Sequence, residues 1–314
     1  MRKPKQVIKQ YLGIILSVIY ALLIRVLGEW NVIEINSLSY LMIAPMAMGF
    51  IPFYFEGGKF RKNIAVAILY PLFAVLVFLV IAVITHLEDL LCFIIIGAPY
   101  IAFSIAVSII LFYLTKDKKD DGIRKSSLSV LLLPFLLGQL EKELPKVKTD
   151  VTVSNSVVID LPDTLMWNQL FDVPDLSAAN TPGWMNYLGV PQPVKSVYDS
   201  KHNIRLGYFE NGVVLKESVT EQIPNRKLVF AIDIRGSQLG ANPTLKHILK
   251  TKNMEFHSIQ YELKPIGNHQ TLLKLSTNYR IHSNLPFYGK FWSTRIIADF
   301  ERKLLTSLKV TLES

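Results

Sequence analysis

The sequence predicts an α-helical transmembrane bundle of four or five helices, followed by an α+β domain in which a curved antiparallel sheet meets a long C-terminal helix. Three observations carry this. Long uncharged apolar runs crowd the chain before Leu140, an alternating strand period begins at Val151, and a helical apolar stripe fills the last segment. The boundary falls at the charged, proline-bearing stretch Glu141–Asp150, giving a bundle over residues 1–144 and a second domain over 145–314.

Crossing the roughly 30 Å hydrocarbon layer takes about 20 apolar residues as a helix. Ile64–Ile84 and Leu90–Leu114 carry no charge, nor does the shorter Leu38–Phe55, and Tyr11–Leu27 holds only Arg25. These are the four expected spans. A fifth, Leu128–Leu140, is short and either spans or is re-entrant. Arg25 is expected to reach the outer interface near Glu29, one turn on. Ala98, Ala102 and Ala106 recur every four residues and are expected to form a close helix contact.

Positive charge orients the bundle. Arg2, Lys3, Lys5 and Lys9 precede the first span, Lys59, Arg61 and Lys62 follow the second, and Lys116, Lys118, Lys119, Arg124 and Lys125 follow the fourth. The alternate loops Gly28–Ser37 and Thr85–Asp89 hold no Lys or Arg. The positive-inside rule therefore places the N-terminus in the cytoplasm, and a spanning fifth segment would put the second domain outside it. The expected location is a bacterial plasma membrane.

The second half reads as strands at Val151–Ile159, Lys195–Asp199, Ile204–Phe209, Val213–Val219, Leu228–Ile234, Met254–Lys264 and Thr271–His282. Glu210-Asn211-Gly212 and Gly267-Asn268-His269 are expected turns. Phe287–Leu312 is one amphipathic helix with Ile297, Phe300, Leu304 and Leu308 on its apolar side; Arg295, Asp299, Arg302, Thr306 and Lys309 gather opposite.

These pieces resemble the SRPBCC superfamily, the helix-grip fold of START-like and polyketide cyclase/dehydrase-like proteins. The resemblance is carried by Val158-Ile-Asp-Leu-Pro with Trp167, Leu188-Gly-Val-Pro-Gln-Pro, and Arg205 with Phe209-Glu-Asn-Gly and Glu217. Pro224 with Leu228-Val-Phe, Tyr261-Glu-Leu, Thr271-Leu-Leu and Tyr279-Arg ahead of the helix bearing Trp292 complete it. It covers about residues 150–314, and with the membrane half it is similar to membrane-anchored bacterial members. It implies a cavity between sheet and final helix.

Strand parity and this fold suggest a ligand-binding set of Leu215, Glu217, His257, Tyr261, Tyr279, Trp292, Ile296 and Phe300. Glu217 shares its side of the strand with Val213, Leu215 and Val219, which makes it a weak catalytic candidate, or else the partner of Arg205. A cavity on the order of 300–1,000 Å³ is the expectation for a bound apolar molecule.

No phosphate-binding loop, HExxH or GxSxG motif is present. The single cysteine, Cys92, forbids an internal disulfide and any multi-cysteine metal site, so neither metal nor cofactor is expected. The basic balance of +9 has no aromatic interleaving of the kind nucleic-acid platforms use, which favours the lipid bilayer over nucleic acid as partner. The leading reading is a membrane-tethered module holding a membrane lipid or other apolar small molecule. The alternatives are a cyclase- or hydratase-like enzyme on a hydrophobic substrate, with Glu217 as acid/base, and a membrane sensor or interaction protein.

Overall fold

The computed structural model describes residues 11–116, 127–240, 253–267 and 269–314, and it divides into two compact units, Met1–Lys146 and Val147–Ser314. The basic N-terminal cluster, most of the charged stretch after Thr115, and Asn268 of the second expected turn lie outside the described residues.

In the first unit the long apolar runs become α1 (Leu12–Glu29), α2 (Ala44–Phe60), α3 (Ile64–Ile84), α4 (Leu90–Thr115) and the short α5 (Leu133–Glu143). Among the described residues three helices, α1, α3 and α4, are long and apolar enough to cross a membrane. Four or five were expected. Leu38–Phe55 falls short because it opens as a π-helical turn, Ser39–Ile43, and continues as a 17-residue α2 that contains Pro52. Proline removes a ladder donor and crowds the preceding turn. Leu128–Leu140 divides into a 3₁₀ segment, Ser127–Leu132, and α5, which has only 11 residues because Pro134 restarts the helix.

Buried polar groups tie these helices together. Arg25 is wholly buried, bonded to Glu88 and the Leu87 carbonyl, with Glu29 2.7 Å away. It does not snorkel out, because the short loop after α3 folds a carboxylate inward to meet it. Asp89 instead caps α4 by accepting from the Cys92 amide at 2.9 Å. Glu141 of α5 accepts from the Leu38 and Ser39 amides at 2.7 and 3.0 Å, satisfying free N–H groups at the start of the π-helical turn. The expected alanine contact is not used within the bundle: Ala98, Ala102 and Ala106 are exposed, whereas Gly97, Tyr100, Ser104 and Ser108 on the other side of α4 are buried. Gly49 of α2 decides this. A Cβ there would lie 2.1 Å from the Ser104 carbonyl oxygen, so the backbones meet where only glycine fits.

The second unit is a seven-stranded antiparallel sheet, β1 (Val147–Ile159), β2 (Pro193–Asp199), β3 (Ile204–Phe209), β4 (Val213–Ile223), β5 (Lys227–Leu239), β6 (Met254–Ile266) and β7 (Gln270–Ser283), in the order β1-β7-β6-β5-β4-β3-β2. Short helices α6 (Asp163–Gln169) and α7 (Trp184–Tyr187) lie in the β1–β2 connection, and α8 (Pro286–Glu313) closes the chain. The β3–β4 turn is as expected, with Asn211 and Gly212 both at positive φ. Bulges in β4 and β6 bend the sheet.

Helix α8 returns along β1 and β7, burying Ile297, Leu304, Leu305 and Leu308. The core joins these leucines to Ile159, Met166, Leu170, Leu228, Phe230, Tyr261 and Leu275. A smaller cluster gathers Val151, Val153, Tyr279, Ile281 and Ile297. A bent antiparallel sheet gripping one long terminal helix is the helix-grip fold. One expectation fails on the helix: Asp299 is buried, not on an exposed polar side, and Glu301 is buried with it.

Candidate functional site

Between α8 and the strands β2–β4, β6 and β7 lies a cavity of about 50 Å³. Its wall is largely apolar, with Val173, Leu176, Phe209, Leu215, Ile259, Leu275, Phe300 and Leu304. The volume is far below the expected range, with room for only a few waters. The reason is ring packing. Phe209, at the end of β3, meets Phe300 of α8 with ring centres 5.4 Å apart.

The buried charged part of the wall is an ion pair, with Ser196, Tyr261, Thr277 and the exposed Lys195 as further polar lining. Register places Arg205 of β3 directly opposite Glu217 of β4, and both are at least 95% buried. The Arg205 Nε donates to Glu217 Oε2 at 2.6 Å and Nη1 donates to the Leu170 carbonyl at 2.6 Å. The guanidinium also stands 3.8 Å from the Phe230 ring centre. Burial alone works against the charge of Arg205; Glu217 and the neighbouring Tyr261 more than offset it, and its pKa is raised above the ordinary value. Burial pushes the Tyr261 phenol up, so it stays protonated.

Behind Thr277, another lining residue, sits Glu301. Its two oxygens accept from Asn155 Nδ2 at 2.8 Å and Thr277 Oγ1 at 2.7 Å. Burial raises its pKa, and these two hydrogen bonds offset part of the rise. Neither Thr277 nor Glu301 was singled out from sequence. The signal was present: Glu301 is four residues after Ile297 and three before Leu304, on the apolar stripe itself.

Of the expected ligand-binding set, Leu215, Glu217, Tyr261 and Phe300 come together on the cavity wall. The other four lie elsewhere. His257 is exposed, its ring 3.7 Å from Asp150, because the bulge between Phe256 and Ser258 reverses strand parity there. Tyr279 belongs to the smaller core cluster and its hydroxyl meets Ser293 Oγ at 3.0 Å. Trp292 packs edge-on against Tyr288 and Phe291, and Ile296 is half-buried on the same part of α8. Among the described residues no cluster of three or more His, Cys, Asp or Glu is arranged to hold a metal.

No protein-family model matches the chain, and no curated protein does. Solved structures do match. The XoxI protein from Bacillus cereus is similar over 52% of this chain and 99% of its own, at 11% identity and a TM-score of 0.36. A START superfamily protein from Mycobacterium smegmatis covers 52% of this chain and 97% of its own, at 10% identity and a TM-score of 0.35. The di-domain aromatase/cyclase StfQ of steffimycin biosynthesis matches 62% of this chain and 60% of its own length, at 12% identity and a TM-score of 0.35. One of these is a START superfamily protein and another an aromatase/cyclase, while the helix-grip assignment rests on the strand order and terminal helix of the chain itself.

Proposed function

We propose that this chain is a membrane-tethered binding module that takes an apolar small molecule, such as a membrane lipid, into the space under α8. The observation that carries the reading is an apolar cavity between sheet and helix whose one buried ion pair is closed on itself. Arg205 and Glu217 satisfy each other, so the wall offers a ligand apolar contact with no free buried charge. At about 50 Å³ the cavity is too small for such a molecule, and loading requires Phe209 and Phe300 to part. Glu217 held at 2.6 Å by a guanidinium is poorly placed to exchange a proton with substrate, which favours binding over the enzyme reading.

An apolar fluorescent dye titrated into the full chain in detergent is expected to show saturable binding that Phe300→Trp abolishes, since the larger indole fills the space. Non-saturable partitioning, identical in both proteins, would count against the site.

The tether has an orientation in this reading: N-terminus in the cytoplasm, second domain on the other side. The charge asymmetry supports it, with the π-helical turn and α2 read together as the second crossing, and so does the path of α5. Its last turn bonds to the loop that lacks Lys and Arg, through Gln139 to the Val32 carbonyl, Lys142 to the Asn31 carbonyl, and Glu141 to Leu38 and Ser39. A segment too short to span thus still delivers the chain to that side. A reporter that matures only outside the cytoplasm, fused after Ser314, is expected to be active; activity only from a cytoplasm-dependent reporter would reverse the orientation.

A further inference from the structure

The first turns of α8 carry an exposed aromatic face that the ligand site does not use. Phe287 is 83% exposed and Phe291 37% exposed. They are four residues apart, so they share one side of the helix, and the exposed cations Lys290 and Arg295 flank them. Arg295 stacks on Phe291, its guanidinium carbon 3.6 Å from the ring centre. The helix start is fixed to the sheet, because Gly289 packs closely on Ile281 at the end of β7. Aromatic rings beside cations on one helix face match a bilayer interface, where rings sit at headgroup depth and cations meet lipid phosphates.

Connectivity says which surface this face meets. Val147, the first residue of β1, pairs with Ser283, the last of β7, and α8 begins three residues later. The end of the sheet that carries Phe287 is therefore the end at which the chain arrives from α5. From Glu143 to Val147 is four residue steps, at most about 14 Å of extended chain. Val147 itself is 52% exposed and adds apolar surface at the same end.

We propose that Phe287, Phe291, Lys290 and Arg295 form a docking face that inserts into the headgroup region of the bilayer to which the chain is tethered. The occupant is the lipid surface itself, and the proposal goes beyond ligand binding, which it neither needs nor tests. The docked face would hold this end of the domain at the membrane.

The test uses the full chain in nanodiscs of phosphatidylcholine and phosphatidylglycerol, in a Cys92→Ala background. Phe287→Cys and Ile266→Cys variants each carry one environment-sensitive fluorophore. Ile266 is 42% exposed and lies beside the opposite end of β7, roughly 40 Å away along an extended strand. The label at 287 is expected to lose most of its emission to doxyl-labelled lipid and little to aqueous iodide, and the label at 266 is expected to do the reverse. Iodide quenching at both sites, with no lipid quenching at 287, would overturn the docking face. A chain that fails to co-float with liposomes would overturn the tether as well, so the two failures are distinguishable.

Discussion

Glu217→Ala is expected to cost the second domain about 3–5 kcal/mol, the usual consequence of leaving one member of a buried pair uncompensated. Arg205 is 96% buried over the Phe230 ring, and only the Leu170 carbonyl and the neutral Tyr261 hydroxyl would be left to accept from it. Domains of this size are stable by about 5–15 kcal/mol, so the loss is a large share. Replacing both residues together, Arg205→Met with Glu217→Leu, removes the charges and is expected to recover most of it. Thermal unfolding of the full chain, followed by emission from Trp167, Trp184 and Trp292, reads the difference. A single-variant loss below about 1 kcal/mol would mean that water reaches the pair and that the cavity floor is open.

Gly49→Val is expected to be as damaging in the bundle. Added atoms would meet the Ser104 carbonyl backbone, which cannot swing aside as a flexible side chain does. Overpacking typically costs about 1–3 kcal/mol, and a backbone obstacle puts this case at or above the top of that range. Gly58 provides the contrast, since a Cβ there meets nothing within 4 Å. Gly58→Ala is expected to be neutral or slightly stabilising, because alanine is the better helix former. Size-exclusion profiles after stepwise heating in detergent would separate the two variants. Equal melting would show that α2 and α4 do not depend on that contact.

The parts of this fold that depend on local period were legible in the sequence. All seven strands and the terminal helix follow from alternation and from the spacing of Ile297, Leu304 and Leu308. What escaped depends on distant partners. The bulge at His257 reverses one residue's direction without disturbing the hydrophobic pattern around it. The choice between two stripes of small residues on α4 is made by Gly49, far away in the chain. Leu128–Leu140 is apolar enough to suggest a span, yet its helical part is set by Pro134 and by the carboxylate of Glu141 reaching Ser39. Within the site, the Arg205–Glu217 pairing was readable because the two residues face each other across one hairpin. The cavity volume was not, since it is decided by how Phe209 and Phe300, 91 positions apart, fill the space between layers.

The binding claim is tested most directly by native mass spectrometry of the full chain, extracted from its membranes in mild detergent. The expected spectrum shows the protein with a stoichiometric apolar small molecule, released on organic extraction and absent from Phe300→Trp. Bare protein in both preparations, with no added mass under the gentlest conditions, would contradict the account and leave the helix-grip domain with a solid core.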